Sequence, residues 1–459
     1  MSLPSQPVTD QEFTSAIELL RQLIPQDEVA AYSFEQSPAT VYTTLSTLWI
    51  LTLQRLGGGQ SLQAIVRETL ANHREIFPNN TRVREGTLSE NPSGYSKGRQ
   101  RLLLATAERF CDSVSKTIID RCAPTLRDRQ VYVIDGTTIA LSPTSELTKV
   151  YPPATNQFGR TVWPILMLSV AHELRSGAAL RPEFGAKFGD DNTSEAEQAI
   201  ALAKRIPRGS ILLADSGYGI FQVSFRSVQL GHDFIFRLTN SRFKALARKA
   251  ELVAQKGSVK HYRLEWQPSP KDRKNNPSLP ADARLFVELH SKVDERGETL
   301  HVVTSLSIDS AKAIEVYGLR YSAVEHDLRD LKVTLNLEQM RARSKEMVEK
   351  EILCSVVAYN LVVQLRRTAA KIADLPPRRL SFVGCWNTMQ SFLLHYVASD
   401  TTMWQSRYEQ AVVMASRAVL PLRPGRSFPR KAHPQRPKTT NFHKTARKQP
   451  SEPNAEPPP

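Results

Sequence analysis

Three separated segments carry residue types that suit metal chemistry. Val133-Ile134-Asp135-Gly136-Thr137-Thr138 and Leu213-Ala214-Asp215-Ser216 each run from apolar residues into an aspartate, and Tyr317-Gly318-Leu319-Arg320 leads on to Glu325 and Lys332. Two strand-end carboxylates and one helical carboxylate can hold a pair of Mg²⁺ ions, an arrangement suited to cutting and joining phosphodiesters. Taken singly each residue is bland. An Asp before Gly or Ser commonly forms a turn, and Glu325 alone reads as a solvated helical residue paired with Arg329. The three together change that reading. Glu325, Leu328 and Lys332 fall at i, i+3 and i+7, one stripe of a helix, with Leu328, Leu331 and Leu335 as its buried edge. Glu325 then closes the metal site while Lys332, about 10 Å along the axis, grips a phosphate. The basic residues beside Glu325 suggest that the phosphate belongs to DNA.

Positioning such a site takes a sheet. A strand end that opens into a loop projects side chains into the cleft at the edge of an α/β sheet. Val131-Tyr132-Val133-Ile134 is β-branched and aromatic, as a buried strand should be. Val162 to Val170 is a second apolar run, Ala178 to Phe188 a weaker third, and Ser210 to Ala214 and Asp233 to Leu238 two more. Helices are expected from Ser194, as cap, to Arg205 and from Asp215 to Leu230. Residues 241 to 306 break this rhythm: His261 to Trp266 and Arg284 to Leu289 alternate like exposed antiparallel strands, with Pro268 to Pro280 read as a loop. Helix returns near Ser310 and continues, with interruption, to Arg367, and two amphipathic helices near 380–397 and 401–418 follow.

Residues 11 to 128 read as helical. Phe13, Ile17, Leu20 and Ile24 recur at helical spacing. A helix from about Ala39 to Leu56 breaks at Gly57-Gly58-Gly59, and Ser61 can cap the next, Leu62 to about His73. Such a pair is compatible with helix-turn-helix DNA reading or with plain packing. It is no phosphate-binding loop, because the Gly-Lys-Ser/Thr is missing. A helix near Ser96 opens with Lys97, Arg99 and Arg101, a phosphate contact or a solvated face.

The chain of 459 residues is long enough for two or three domains, and its hydrophobic fraction of 41% is that of an ordinary soluble protein. No apolar run approaches membrane-spanning length, and the start, Met-Ser-Leu-Pro-Ser-Gln, lacks the features of a secretory signal. Four cysteines without C-x-x-C spacing argue against a disulfide frame or zinc site and for buried free thiols in a reducing cytoplasm. The net charge of +15 favours a polyanionic partner. Nine Lys and Arg lie between Arg423 and Lys448 with no acid among them, and without them the net charge falls to +6. That Pro-rich tail is expected to be disordered and still to attract phosphate through counterion release.

These pieces resemble the DDE transposases of bacterial insertion sequences, specifically the insertion-sequence-4 family. The resemblance runs through Val133 to Thr138, Tyr151-Pro152, Gln157-Phe158-Gly159, Leu213-Ala214-Asp215 and Phe236-Arg237-Leu238. It is fullest from Tyr317 and Arg320 through Val324-Glu325-x-Asp327-Leu328-Arg329-Asp330-Leu331-Lys332 to Glu349-Lys350-Glu351 and Ala358-Tyr359-Asn360-Leu361. It implies an α/β, ribonuclease-H-like mixed sheet with flanking helices, a β-rich insertion before the Glu helix, a helical N-terminal domain and a disordered basic C-terminal tail. The boundaries expected are 1–128, 129–240, 241–306, 307–372, 373–422 and 423–459. It implies Asp135, Asp215 and Glu325 as the catalytic metal ligands of two Mg²⁺ ions, with Mn²⁺ able to substitute. Tyr317, Arg320 and Lys332 then hold DNA phosphates. The implied partners are the element's terminal inverted repeats and target DNA, bound by a homodimer pairing two ends, nucleoid-associated in a bacterial cytoplasm and away from membranes. Two departures stand out. Four residues rather than three separate Arg320 from Glu325, and Ser216 follows the second Asp where many relatives carry Arg. A two-metal nuclease without strand transfer, or a catalytically silent DNA-binding derivative, are the rival readings.

Overall fold

The alternation of Val131, Val133 with Tyr132, Ile134 sends neighbouring side chains to opposite faces, and both faces are covered. Tyr132 and Ile134 join one apolar cluster, Val131 and Val133 a second. The computed structural model describes residues 37–421 apart from 38, 127, 157–158, 294–296, 298, 335, 338–339 and 395–400, and leaves out the side chains of 156, 322–326, 333–334 and 401–405. The expected helix at Phe13 to Ile24, the Gln157-Phe158 step, Leu335, the basic tail and the side chain of Glu325 therefore lie outside the described residues.

The strands are β1 (Val131–Ala140), β2 (Ile165–Glu173), β3 (Glu183–Ala186), β4 (Ile211–Ala214), β5 (Asp233–Arg237), β6 (Glu251–Lys256), β7 (Val259–Trp266), β8 (Leu285–Val293) and β9 (Thr299–Thr304). They form one sheet in the order β3-β2-β1-β4-β5-β9-β8-β7-β6. β1 pairs in parallel with β4, and β4 with β5, while β2 runs antiparallel to both β1 and β3. The 241–306 block continues the same sheet, because β9 pairs antiparallel with β5 at Val302↔Arg237 and Val303↔Phe236. The stretch read as a loop from Pro268 to Pro280 holds a short helix, Pro270–Asn275. Ser269 and Asp272 form a capping box there, which satisfies its first backbone donors.

The helices used below are α1 (Thr44–Leu56), α2 (Leu62–Asn72), α3 (Ser93–Arg101), α4 (Leu104–Asp120), α5 (Glu195–Arg205), α6 (Phe221–Gln229), α7 (Asn240–Ala247), α8 (Ser310–Arg329), α9 (Lys345–Ile372), α10 (Phe382–Leu393) and α11 (Thr401–Ser416). α9 is the axle of the helical half. It buries residues on every side, and α1 and α4 pack on it in one shared core. α1 itself is buried from end to end, and α2 keeps Gln63, Ala64 and Arg67 on an exposed side. The basic start of α3 is divided between core and surface, with Arg101 exposed. Arg99 is buried against Glu351, whereas Lys97 is exposed. All four cysteines are free thiols, and among the described residues no helix is long and apolar enough to cross a membrane.

Candidate active site

Strand period and register place the two aspartates together. Val131 and Val133 on β1, Ile211 and Leu213 on β4, and Ile235 on β5 all face the cluster that also contains Ala313, Val316 and Tyr317 of α8. Two residues further along each strand, the same face carries Asp135, Asp215 and Arg237. The parallel register pairs Val133 with Leu213 and Ala214 with Phe236. Asp135, Asp215 and Arg237 therefore form one row across three neighbouring strands, with backbones about 4.8 Å apart. Asp215 lies just past the end of β4. Asp135 does not end its strand, since β1 runs on to Ala140 against β2, but its pairing with β4 stops at Val133. On that side the backbone opens, and the carboxylate reaches the cleft.

Helix α8 covers this row. Arg320 Nη2 stands 3.6 Å from Asp135 Oδ2, with the arginine 8% exposed. Asp135 also accepts from Gly136 N at 3.0 Å, and Asp215 from Gly217 N at 2.8 Å. Burial pushes Asp135 above the usual carboxylate range. Arg320 and the Gly136 amide act against that, while the charges of Asp215 and Glu195 add to it. Such crowding of carboxylates is the condition a divalent cation relieves, and an all-oxygen donor set suits Mg²⁺. Close approach also explains the glycines. A Cβ on Gly136 would lie 3.2 Å from the Tyr218 hydroxyl and 3.4 Å from Ser169 Oγ, and one on Gly219 only 2.1 Å from the carbonyl oxygen of Arg237.

The remaining expected residues are distributed around this row. Glu325 lies on α8 one turn beyond Arg320 and Tyr321. Tyr317 is fully buried beneath the cleft, and its hydroxyl has no hydrogen-bond partner among the described residues. Burial raises it, and the charges of Arg320, Arg237 and Asp215 all reach it. α8 is continuous from Ser310 through Arg329, so the extra residue before Glu325 does rotate Arg320, and the arginine turns to Asp135. Lys332 does not continue the α-helical stripe of Glu325 and Leu328. The helix widens into a π turn over Asp330–Thr334, which lets Asp330 and Leu331 both point inward and shifts Lys332 in phase.

What fixes α8 is a buried ion cluster. Asp327, wholly buried, receives Arg378 Nη2 at 2.7 Å and Nε at 3.2 Å on Oδ2, and Arg366 Nη2 at 3.4 Å on Oδ1. Burial raises Asp327, yet Arg378 and Arg366 outweigh it and hold the carboxyl below its ordinary value. For Asp330 burial wins over Arg366, and its pKa rises to about 7. The motif residues of α9 are likewise structural. Glu351 binds Arg99, Lys350 reaches Glu346 at 2.8 Å, and Asn360 hydrogen bonds with both the N–H and the carbonyl of Ala179 at 2.9 Å.

Sequence reading missed Glu195 and Arg237 as neighbours of the pair. Arg237 carried the same signal as the aspartates, a polar residue closing an apolar run. Glu195 offered only an acid in the first turn of α5, and its position over Gly136 and Gly217 comes from tertiary packing.

A β-sheet cleft holding paired carboxylates beneath a helix that supplies basic groups defines a class of polynucleotide-processing folds, and comparison with known proteins places the chain within it. Residues 126–361, just over half of the chain, match the family described as Transposase DDE domain, and the chain belongs to that family. It is 25% identical over 309 residues to the transposase InsG for insertion sequence element IS4 of Escherichia coli (strain K12). That alignment covers 65% of this chain and 66% of InsG, and the resemblance to insertion-sequence-4 transposases stands. Among solved structures, a cryo-EM structure of the piggyBac transposase synaptic complex with hairpin DNA aligns over 90% of this chain and 87% of that one, at a TM-score of 0.41 and 9% identity.

Proposed function

We propose that this chain is a DNA transposase that cuts the ends of an insertion sequence and joins them to target DNA. The observation that carries the proposal is the row of Asp135 and Asp215 at one level of adjacent parallel strands, under the helix that bears Glu325. The strand order β3-β2-β1-β4-β5 with β2 reversed supports a ribonuclease-H-like reading of the core, with β6 to β9 as the insertion. Asp135, Asp215 and Glu325 are the residues to hold two Mg²⁺ ions, or Mn²⁺. When bound, these ions activate a water or a DNA 3′-hydroxyl and stabilise the leaving oxygen.

The protein's own groups do the rest. Asp135 and Asp215 supply fixed negative charge on rigid strands, held by the Gly136 and Gly217 amides. Arg320, paired with Asp135, would hold a DNA phosphate beside the ions. Lys332 completes the phosphate contacts, and Tyr317, fully buried, supports from below the helix that carries them. Within the insertion, Trp266 is buried edge-on against Phe221, whereas Phe286 is 70% exposed. Of these two, Phe286 is the one exposed to meet DNA. Two protomers bind two ends, and the basic tail adds sequence-independent affinity.

A strand-transfer assay tests the reading. Precut element ends, target plasmid and Mg²⁺ should yield joined products. Hydrolysis without joining would assign a nuclease instead. The Arg320–Asp135 pair favours one rival, a silent DNA-binding derivative, and binding of terminal repeats without nicking in Mg²⁺ or Mn²⁺ would select it.

A further inference from the structure

A second group of ligand-type side chains lies away from the aspartates, in the β6–β9 extension. His261 on β7 sits directly opposite His290 on β8, and Glu288 precedes His290 by two residues on the same face. We propose that His261, Glu288 and His290 form a Zn²⁺-type metal site that fastens this extension to the first turn of α8.

The ligand atoms of the three all lie within 4.8 Å of one another. Glu288 Oε2 is 3.3 Å from His261 Nε2 and 3.7 Å from His290 Nε2. A tetrahedral zinc with bonds of about 2.0–2.1 Å has ligand edges of about 3.4 Å, and the two spacings from Glu288 to the imidazoles are close to that value. His290 is completely buried, and its Nε2 has no hydrogen-bond partner among the described residues. Its other nitrogen, Nδ1, lies 2.8 Å from Ser310 Oγ, the first residue of α8. Donation from Nδ1 to that hydroxyl leaves the lone pair on Nε2, the outer contact that typically orients a metal-bound histidine. Glu288 is oriented by Ser307 Oγ at 3.2 Å and Ile308 N at 3.3 Å, both in the segment leading into α8.

The imidazole rings stack at 4.6 Å and 24°, so their lone pairs run side by side. Loading turns the His261 ring, the more exposed of the two at 16%. Two imidazoles and one carboxylate favour Zn²⁺ or Co²⁺ over Mg²⁺. The absence of cysteine spacing, which argued against a zinc site in the sequence, does not bear on a site of this composition.

The test uses the untagged full chain carrying Asp135→Asn and Asp215→Asn, stripped with chelator and returned to Mg²⁺ buffer. Added Co²⁺ should bind at one per chain with a visible ligand-field absorption, and Zn²⁺ should displace it. His261→Gln and Glu288→Gln should weaken binding at least about a hundredfold, and Ser310→Ala about tenfold. Circular dichroism keeps loss of binding distinct from loss of fold, with His261→Gln, at a partly exposed position, as the variant that retains structure. Zn²⁺ should raise the melting temperature of the parent and not of His261→Gln. Stoichiometry below about 0.1 per chain in excess Zn²⁺, or His261→Gln binding as tightly as its parent, would overturn the proposal.

Discussion

Removing Arg378 should loosen the helix that carries Glu325. Asp327 sits two residues beyond Glu325 on α8, is wholly buried, and takes two hydrogen bonds from Arg378 and a weaker one from Arg366. Breaking a buried ion pair from one side costs about 3–5 kcal/mol, mostly as the stranded charge. Arg366 stays in place and shields part of that charge, so Arg378→Ala should lose about 2–4 kcal/mol, somewhat less than a fully stranded buried charge. The sign with pH follows from the depressed Asp327 value. The pair's contribution is present above the unfolded carboxylate pKa, near 3.9, and is lost as pH falls through the lower folded value. Urea unfolding at pH 7 of Arg378→Ala, of Asp327→Asn and of the double variant Asp327→Asn/Arg378→Met provides the assay. The double variant should be less damaged than Arg378→Ala alone, because the stranded Asp327 charge is gone and Arg366 keeps Asp330 as a partner at 3.9 Å. A loss under about 1 kcal/mol for Arg378→Ala, or a double variant that simply adds the two single effects, would refute the reasoning.

Asp330 behaves in the opposite sense. Its folded pKa of about 7 lies above the unfolded value, so stability falls as pH rises from about 4 to about 7. Asp330→Asn should therefore exceed wild type by about 1–3 kcal/mol at pH 8 and match it near pH 4, read from urea midpoints at both. Gly219→Ala drives a methyl into the Arg237 carbonyl. It should abolish both cooperative unfolding at the wild-type midpoint and cleavage, whereas Gly209→Ala, with open space around it, should show only the modest strain of its positive φ. Lys332→Ala should reduce the slope of log affinity for end DNA against log salt by about one phosphate's worth. An unchanged slope would assign Lys332 to the solvated surface.

Much of the core was legible because its strands announce themselves chemically. Val131 to Ile134, Ile211 to Ala214 and Asp233 to Arg237 are short apolar runs closed by polar residues, and strand period fixes which face each closing residue takes. The pairing of Asp135 with Asp215 was inferred from two such endings, and Arg237, the third, was left out although it carried the same mark. Long-range register was not legible. Nothing local says that β9 returns to β5 and makes the insertion part of one sheet, or that His261 stands opposite His290. The π turn at Asp330–Thr334 was hidden because it answers to buried partners, Arg366 among them, some 36 residues away in sequence. Arg99 read as surface charge for the same reason, its partner Glu351 lying on a distant helix. The short helix at Pro270 was overlooked although Ser269 and Asp272 spell its capping box.

The central claim is that Asp135 and its companions hold the metal that cuts DNA. The most direct measurement compares wild type with Asp135→Asn for nicking of a labelled terminal-repeat duplex in Mg²⁺ and Mn²⁺, with binding of the same duplex measured in parallel. Wild type should nick at the element end. Asp135→Asn should bind nearly as well and nick at least about 10³-fold more slowly, since metal stabilisation of the transition state is worth several kcal/mol. Nicking retained in Asp135→Asn at the wild-type rate would contradict the account.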